Sequence, residues 1–357
     1  MYPKEEFKPS GKVWEYAFGD YFYKLHADSA NRGIVQYSSL PKDANTFDFR
    51  RAYLGHDYNI SEKFSTEFIL AYEGQTLSDN SRTVFIKSAN LRWKKIYKNA
   101  DLVFGLQPTP CWSFITEKLY GYRSIEKTIF DIRKHSSSAD LGIGLQGKLN
   151  EKGDYGYNFF VGNGTGAKPE NDRYKKVYGE VYAKFLDQKL IFDLYADWER
   201  ASLLPMYHKS KTSFKFAVIY KTDAFTVGVE AFEQLHQNFE IHTDTTAMKT
   251  DTGDIAQMGI SVFTTVRIIK EKLNFFARFD SYNPDLNFNS DWIYSSGANP
   301  NTEMSVFAGF DFTPHKNVHI MPNVWYNAYT SRVKNISGLA KSDNDLVARI
   351  TLYYIFK

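Results

Sequence analysis

The sequence predicts an all-β fold: a transmembrane antiparallel β-barrel of 16 strands, residues 1–357 forming one domain, with its longest connection after strand five. Three observations carry that reading. Segments with apolar residues at alternate positions recur about every 20 residues, the repeat of ~10-residue spanning strands plus their connections. The connections alternate between tight polar turns and long loops. Aromatics make up 17% of the chain, with 25 Tyr and 29 Phe, although 24% is charged and the mean hydropathy is −0.44. No run of 18 apolar residues exists, which excludes transmembrane helices. A barrel needs apolar residues only on alternate positions and gathers aromatics at its two interfaces.

In chain order the period-two segments are "GKVWEYAFGDYFYKL", "TFDFRRAYLGHDYNI", "KFSTEFILAYEG", "TVFIKSANLRWKK", "ADLVFGLQ" and "ADLGIGLQGKL". There follow "DYGYNFFVGN", "KVYGEVYAKFL", "KLIFDLYADWE", "KTSFKFAVIYK", "AFTVGVEAFEQL" and "IAQMGISVFTTVRII". "KLNFFARFDSY", "EMSVFAGFDF", "NVHIMPNVWYNAY" and "DLVARITLYYIF" complete the sixteen. The turns are "NISEK", "YKNA", "NEKG", "LDQK", "KTDA", "IKEK" and "TPHK"; the long connections are 27–44, 73–82, 108–138, 163–173, 200–210, 236–253, 283–301 and 330–343. A sandwich or propeller has no reason to sort its loops this way. An outer-membrane barrel does, with turns on one side and loops on the other.

Side chains alternate across a strand, so each charged face is assigned to the lumen. Strand nine sets Leu190, Phe192, Leu194 and Ala196 against Asp193, Tyr195 and Asp197; strand thirteen sets Phe275, Ala277 and Phe279 against Arg278 and Asp280. A charge facing lipid at mid-depth costs roughly 2–4 kcal/mol. The expected pore wall therefore includes Arg92, Arg267, Arg278 and Arg349 opposite Asp193, Asp197, Glu230 and Asp280. Strand two resists: Arg50 and Arg51 are adjacent and fall on opposite faces. The last strand is expected to pair with the first, leaving no open edge in lipid.

Other function classes find little support. A net charge of +3 without a basic, aromatic-interleaved run excludes nucleic acid as a partner. Cys111 is the lone cysteine and has no neighbouring His. His236 and His242 flank Asp244, Asp251 and Asp254, spacing too irregular to predict a metal, and no metal or cofactor is expected. "GNGTG" precedes no helix and reads as a turn. His208 and Ser210 share a loop without the acid or oxyanion pattern of a hydrolase, so the expectation is a non-enzyme. The opening "MYPKEEFKPS" lacks the basic start and apolar stretch of a signal peptide, so the chain is either cytosolic or begins on a processed form; the strand and loop pattern favours the second, in a bacterial outer membrane.

"TFDFRRAYLGHDYNISEKF", "SADLGIGLQGKL" and "NVHIMPNVWYNAY" with the terminal strand resemble the sixteen-stranded porins of the phosphate-selective porin O and P type, especially those of Bacteroidetes. The resemblance implies a homotrimer and a loop after strand five that narrows the pore. Here that loop is residues 108–138. Trp112, Phe114, Ile115, Leu119 and Tyr122 are expected to pack on the wall, with Lys118, Arg123, Lys127, Arg133 and Lys134 forming a constriction with Glu117, Glu126 and Asp131. Fixed charges at a narrow neck act strongly on passing ions. The expected function is passive diffusion of small polar or anionic solutes. The alternative is a closed barrel serving as a docking subunit, its partner proteins held at outer loops such as 283–301, which carries Leu286, Phe288, Trp292, Ile293 and Tyr294.

Overall fold

The computed structural model describes residues 7–33, 35–203, 208–334 and 340–356; the first six residues of the opening stretch and parts of loops 200–210 and 330–343 lie outside these. Among the described residues one antiparallel sheet contains β1 (Ser10–His26), β2 (Asn45–Asn59), β3 (Phe64–Tyr72), β4 (Phe85–Tyr97), β5 (Ala100–Pro108), β6 (Ala139–Lys148), β7 (Tyr155–Gly162), β8 (Lys176–Phe185) and β9 (Leu190–Leu203). It continues through β10 (His208–Lys221), β11 (Phe225–Asp244), β12 (Lys249–Ile269), β13 (Leu273–Asn283), β14 (Trp292–Ser296), β15 (Asn301–His315), β16 (Val318–Ser331) and β17 (Ser342–Phe356). β14 is a short ribbon laid on β11 outside the wall, and β13 pairs directly with β15. The wall thus has sixteen strands. β1 pairs with β17 from Glu15↔Phe356 to His26↔Leu346, so the sixteen-stranded wall closes on itself.

The two faces separate as the alternation requires. On β10, Phe214 and Phe216 are exposed outward while Ser213, Lys215, Ala217 and Ile219 are buried inward. The same outward apolar row recurs in Phe104, Val181, Val262, Val306 and Leu352. An exposed belt of this kind is stable only against lipid.

Two local departures from strict alternation correct the sequence reading. Along β1 and β2 the register runs Phe18↔Arg51 and then Gly19↔Phe49, so Arg50 is an extra, unopposed residue. This bulge turns both arginines inward: Arg50 pairs with Asp20 at 2.5 Å and Arg51 with Glu73 at 2.9 Å. Second, the connections expected at 200–210 and 236–253 are largely strand. β9 runs to Leu203, and β11 and β12 form a ribbon joined by only residues 245–248.

The connection after β5 holds the two helices, α1 (Thr116–Tyr120) and α2 (Ile129–Ile132). Gly121, at φ 76°, ends α1 and donates its N–H to Glu117 O. Trp112, Ile125, Ile129 and Phe130 are fully buried inside the barrel, against wall residues Phe232, Phe263, Phe276 and Phe307. Most of the apolar core is therefore the inserted loop packed on the inner wall.

Candidate functional site: a charged neck and the vestibule at the turn end

The inserted loop is fixed to the wall at many points. Thr116 donates to Asp193 at 3.0 Å and accepts from Lys215 at 2.7 Å. Tyr122 donates to Asp311 at 3.2 Å, Arg133 to Glu303 at 2.7 Å, and Arg278 to the Lys127 carbonyl. His135 bonds Gln234 through its ring at 2.9 Å and accepts through its carbonyl at 2.8 Å. Across the lumen, Arg50 donates to the Ser124 carbonyl. Burial holds the His135 imidazole down to about 3 and pushes the Cys111 thiol up to about 12, so both are neutral parts of this seat.

Beside the seat lies a charged cluster, the candidate neck, in which Arg51 and Asp131 are buried and Glu73, Lys87, Glu117, Arg123 and Lys127 are half-buried. On the wall side Glu73 accepts from Arg51 and Lys87, each at 2.9 Å. On the loop side Arg123 pairs with Glu117 and, at 2.8 Å, with Asp131, while Lys127 lies 3.7 Å from Asp131. Burial works against the Glu73 carboxylate, but Arg51, Lys87 and Arg123 outweigh it and hold the group below the usual range. For Asp131, too, burial is overcome by Arg123, Lys127 and Arg51. At Glu117 burial wins and the carboxyl is raised.

Beyond the neck, toward the turn end, three adjoining cavities of about 450, 500 and 780 Å³ share Lys118 on their lining. The 450 Å³ cavity is edged by Lys95, Lys118, Lys148 and Lys184, none of which has a carboxylate within ion-pair distance among the described residues. Arg92 also lines it, paired with Asp101 at 3.0 Å.

The expected site residues divide accordingly. Glu117, Arg123, Lys127 and Asp131 come together in one ion-paired cluster, the candidate neck, and Lys118 lines all three cavities. Arg133 is a buried wall anchor and does not line the neck. Glu126 is buried and has no ion pair among the described residues, while Lys134, next to His135 and likewise unpaired, is exposed. Of the expected wall, Asp193, Asp197, Arg278, Asp280 and Arg349 do face inward but are buried. Asp193 pairs with Lys215 at 2.6 Å, Asp197 with Lys176 at 3.0 Å and Arg278 with Asp280 at 2.5 Å, and Arg349 donates to Asn323 at 2.8 Å. Arg267 is exposed at the turn-end rim, past the lumen. Arg51, Glu73 and Lys87 were missed, because a bulge and a strand end place them, not the period.

The side candidates resolve simply. His242 stacks on Trp292 at 3.8 Å, His236 bonds Gln234, and among the described residues no cluster of His, Cys, Asp or Glu is able to hold a metal. Ser210 donates to Gln237. "GNGTG" wraps its Gly164 and Gly166 amides on the Asp140 carboxylate, as a turn.

No family profile and no curated protein sequence matches the chain. Solved structures do. The outer membrane channel DcaP of Acinetobacter baumannii superposes with a TM-score of 0.68 at 12% identity, over 98% of this chain and 97% of that one. The anion-selective porin from Comamonas acidovorans gives 0.65 at 10% identity, over 98% and 100%. OmpT of Vibrio cholerae gives 0.61 at 13% identity, over 99% of each.

The fold is that of the outer-membrane porins. The closed even-stranded wall and its apolar belt place the chain in a bacterial outer membrane.

Proposed function

We propose that this chain is a porin, a passive diffusion channel for small polar solutes with a preference for anions. The observation that carries this is the charged cluster between loop and wall, which we read as the neck: Arg51, Lys87, Arg123 and Lys127 stand with Glu73, Glu117 and Asp131 inside the barrel, and a lysine-edged cavity lies toward the turn end. Cations exceed carboxylates in both places, and charges in a low-dielectric constriction act on ions far more strongly than in bulk water. The likeness to an anion-selective porin supports the same sign. A homotrimer is part of this reading, supported by the trimer form of the Vibrio OmpT. Kinship with the porin O and P type rests on the sequence motifs.

The wall-to-wall seating of the inserted loop favours one rival, a closed barrel acting as a docking subunit. Planar-bilayer recording under a potassium chloride gradient separates the two. Stable conductance with a reversal potential toward that of chloride supports the porin; a folded, inserted protein that stays silent supports the closed scaffold.

A further inference from the structure

Elsewhere on the inner wall, aromatic rings are roofed by an inward-folded loop. Phe263 is met by Tyr120 at 5.3 Å, Phe276 by Tyr122 at 4.5 Å and Phe22 by Tyr37 at 3.9 Å. The turn half of β1 meets no ring from such a loop among the described residues, although Arg50 lies over buried Phe18 at 4.8 Å and Tyr53 of β2 stacks on Tyr16 at 4.6 Å. Trp14, Tyr16 and Phe18 follow one another on its inner row in nearly parallel planes, with centroids 6.1 and 6.5 Å apart and interplanar angles of 7° and 0°. Tyr353 of β17 sets its ring against both Tyr16 and Phe18 at 6.1 Å. All four line the 780 Å³ cavity under the inserted loop.

The strip is built. Gly55 is the cross-strand partner of Trp14, and a Cβ there would fall 2.2 Å from the indole. The ring therefore lies flat over the bare backbone of β2. Its Nε1 donates to Asp57 at 3.2 Å, which fixes its orientation. Around the same cavity stand Lys12, Asp57, Glu67, Glu117 and Arg123, and Lys12, Asp57 and Glu67 have no ion-pair partner among the described residues. Among the described residues Asp57 accepts only from Trp14, and Glu67 accepts from Ser88 at 2.6 Å and Asn90 at 3.2 Å through one oxygen. An apolar strip of rings flanked by charged groups outside any ion pair matches one class of small molecule. A pyranose has apolar C–H faces that stack on aromatic rings and a rim of hydroxyls that bonds charged groups.

We infer that this strip is a saccharide track: successive rings of a linear oligosaccharide stack along Trp14, Tyr16 and Tyr353 while Lys12, Asp57 and Glu67 bond its hydroxyls. The inference rests on the porin reading for its purpose and names the solute class of the same lumen. Inorganic ions gain nothing from such a strip, and a purely apolar solute gains nothing from the charges.

The test is made in solution on detergent-folded protein, by calorimetric titration and tryptophan fluorescence with maltohexaose, cellopentaose and xylohexaose, and polyethylene glycol of matched mass as control. The expected result is weak, saturable binding of at least one sugar and none of the glycol. Affinity falls about tenfold in Trp14→Ala and in Tyr16→Ala but is kept in Trp14→Phe, which retains a ring. A heat-modifiable band on gels checks that each variant is folded. No binding by any of the three sugars, or equal binding in Trp14→Ala, overturns the inference. Because binding is read without conduction, a silent bilayer would defeat the porin reading and leave this result standing; conduction without sugar binding would do the reverse.

Discussion

The two ends of this barrel share the same wall strands yet present opposite interiors. Toward the loop end the lumen is filled: Lys24 pairs with Asp345 at 2.8 Å, both fully buried, and also donates to the carbonyls of Tyr37 and Ser38, pinning the first loop inward. Trp112, Phe130 and His135 add to this packing. Toward the turn end the same inward rows of β1, β4, β6 and β8 meet open cavities, lysines without ion-pair partners among the described residues and a row of aromatic rings. Strand alternation decides which residues point inward. What folds over them decides whether they act as structure or touch solute.

Breaking the densely packed half should have the largest effect. Arg133→Ala strands a buried Glu303, and loss of one partner of such a pair costs about 3–5 kcal/mol. Trp112→Ala opens a cavity at a cost of about 3–5 kcal/mol. Either variant should make the loop cleavable by protease in the folded barrel and raise single-channel conductance; unchanged protection would mean that the seat is held elsewhere.

The neck comes next. Arg123→Glu reverses its balance of charge, and the reversal potential under a salt gradient should move from the chloride side toward potassium. An unmoved potential would take Arg123 off the ion path.

A pH effect on the seat should be smaller. His135 is held neutral, with its folded value near 3 and its unfolded value near 6.5, so the unfolded chain takes up the proton first and stability is lost as pH falls from about 6.5 toward 3. Asp131, lowered when folded, adds to this only below about 3.8, while the raised Glu117 opposes it. Thermal unfolding followed across this range should show a shallower slope in His135→Gln than in the native chain.

Smallest of all is the vestibule. Lys148→Ala and Lys184→Ala should each trim the preference for chloride slightly at low salt, and not at all at 1 M, where the screening length is about 3 Å.

Much of the fold was legible in the sequence because a barrel is specified by period and by turns. Leu190 to Trp198 alternates cleanly, and the structure keeps that register. The Arg50–Arg51 pair was not legible, since a one-residue bulge breaks the very alternation used to read it. Nor were the strands that run past the membrane from residue 236 to 253, where polar ribbon resembles loop. The site was half legible. Charge count picked out Arg123 and Lys127, but Arg133, of the same type in the same loop, is a buried anchor because Glu303 lies opposite it, a long-range match that no local pattern reports. The aromatic row of β1 was visible only as composition until Gly55 and the cavity gave it a surface.

The measurement that bears most directly on the neck is thiol block of the channel. Cys111 is fully buried, which leaves an introduced cysteine as the reactive one. In Arg123→Cys, a bulky anionic methanethiosulfonate reagent should reduce single-channel current in one step and shift the reversal potential toward potassium. Full current after modification, with the adduct verified by mass, would show that ions pass elsewhere or not at all.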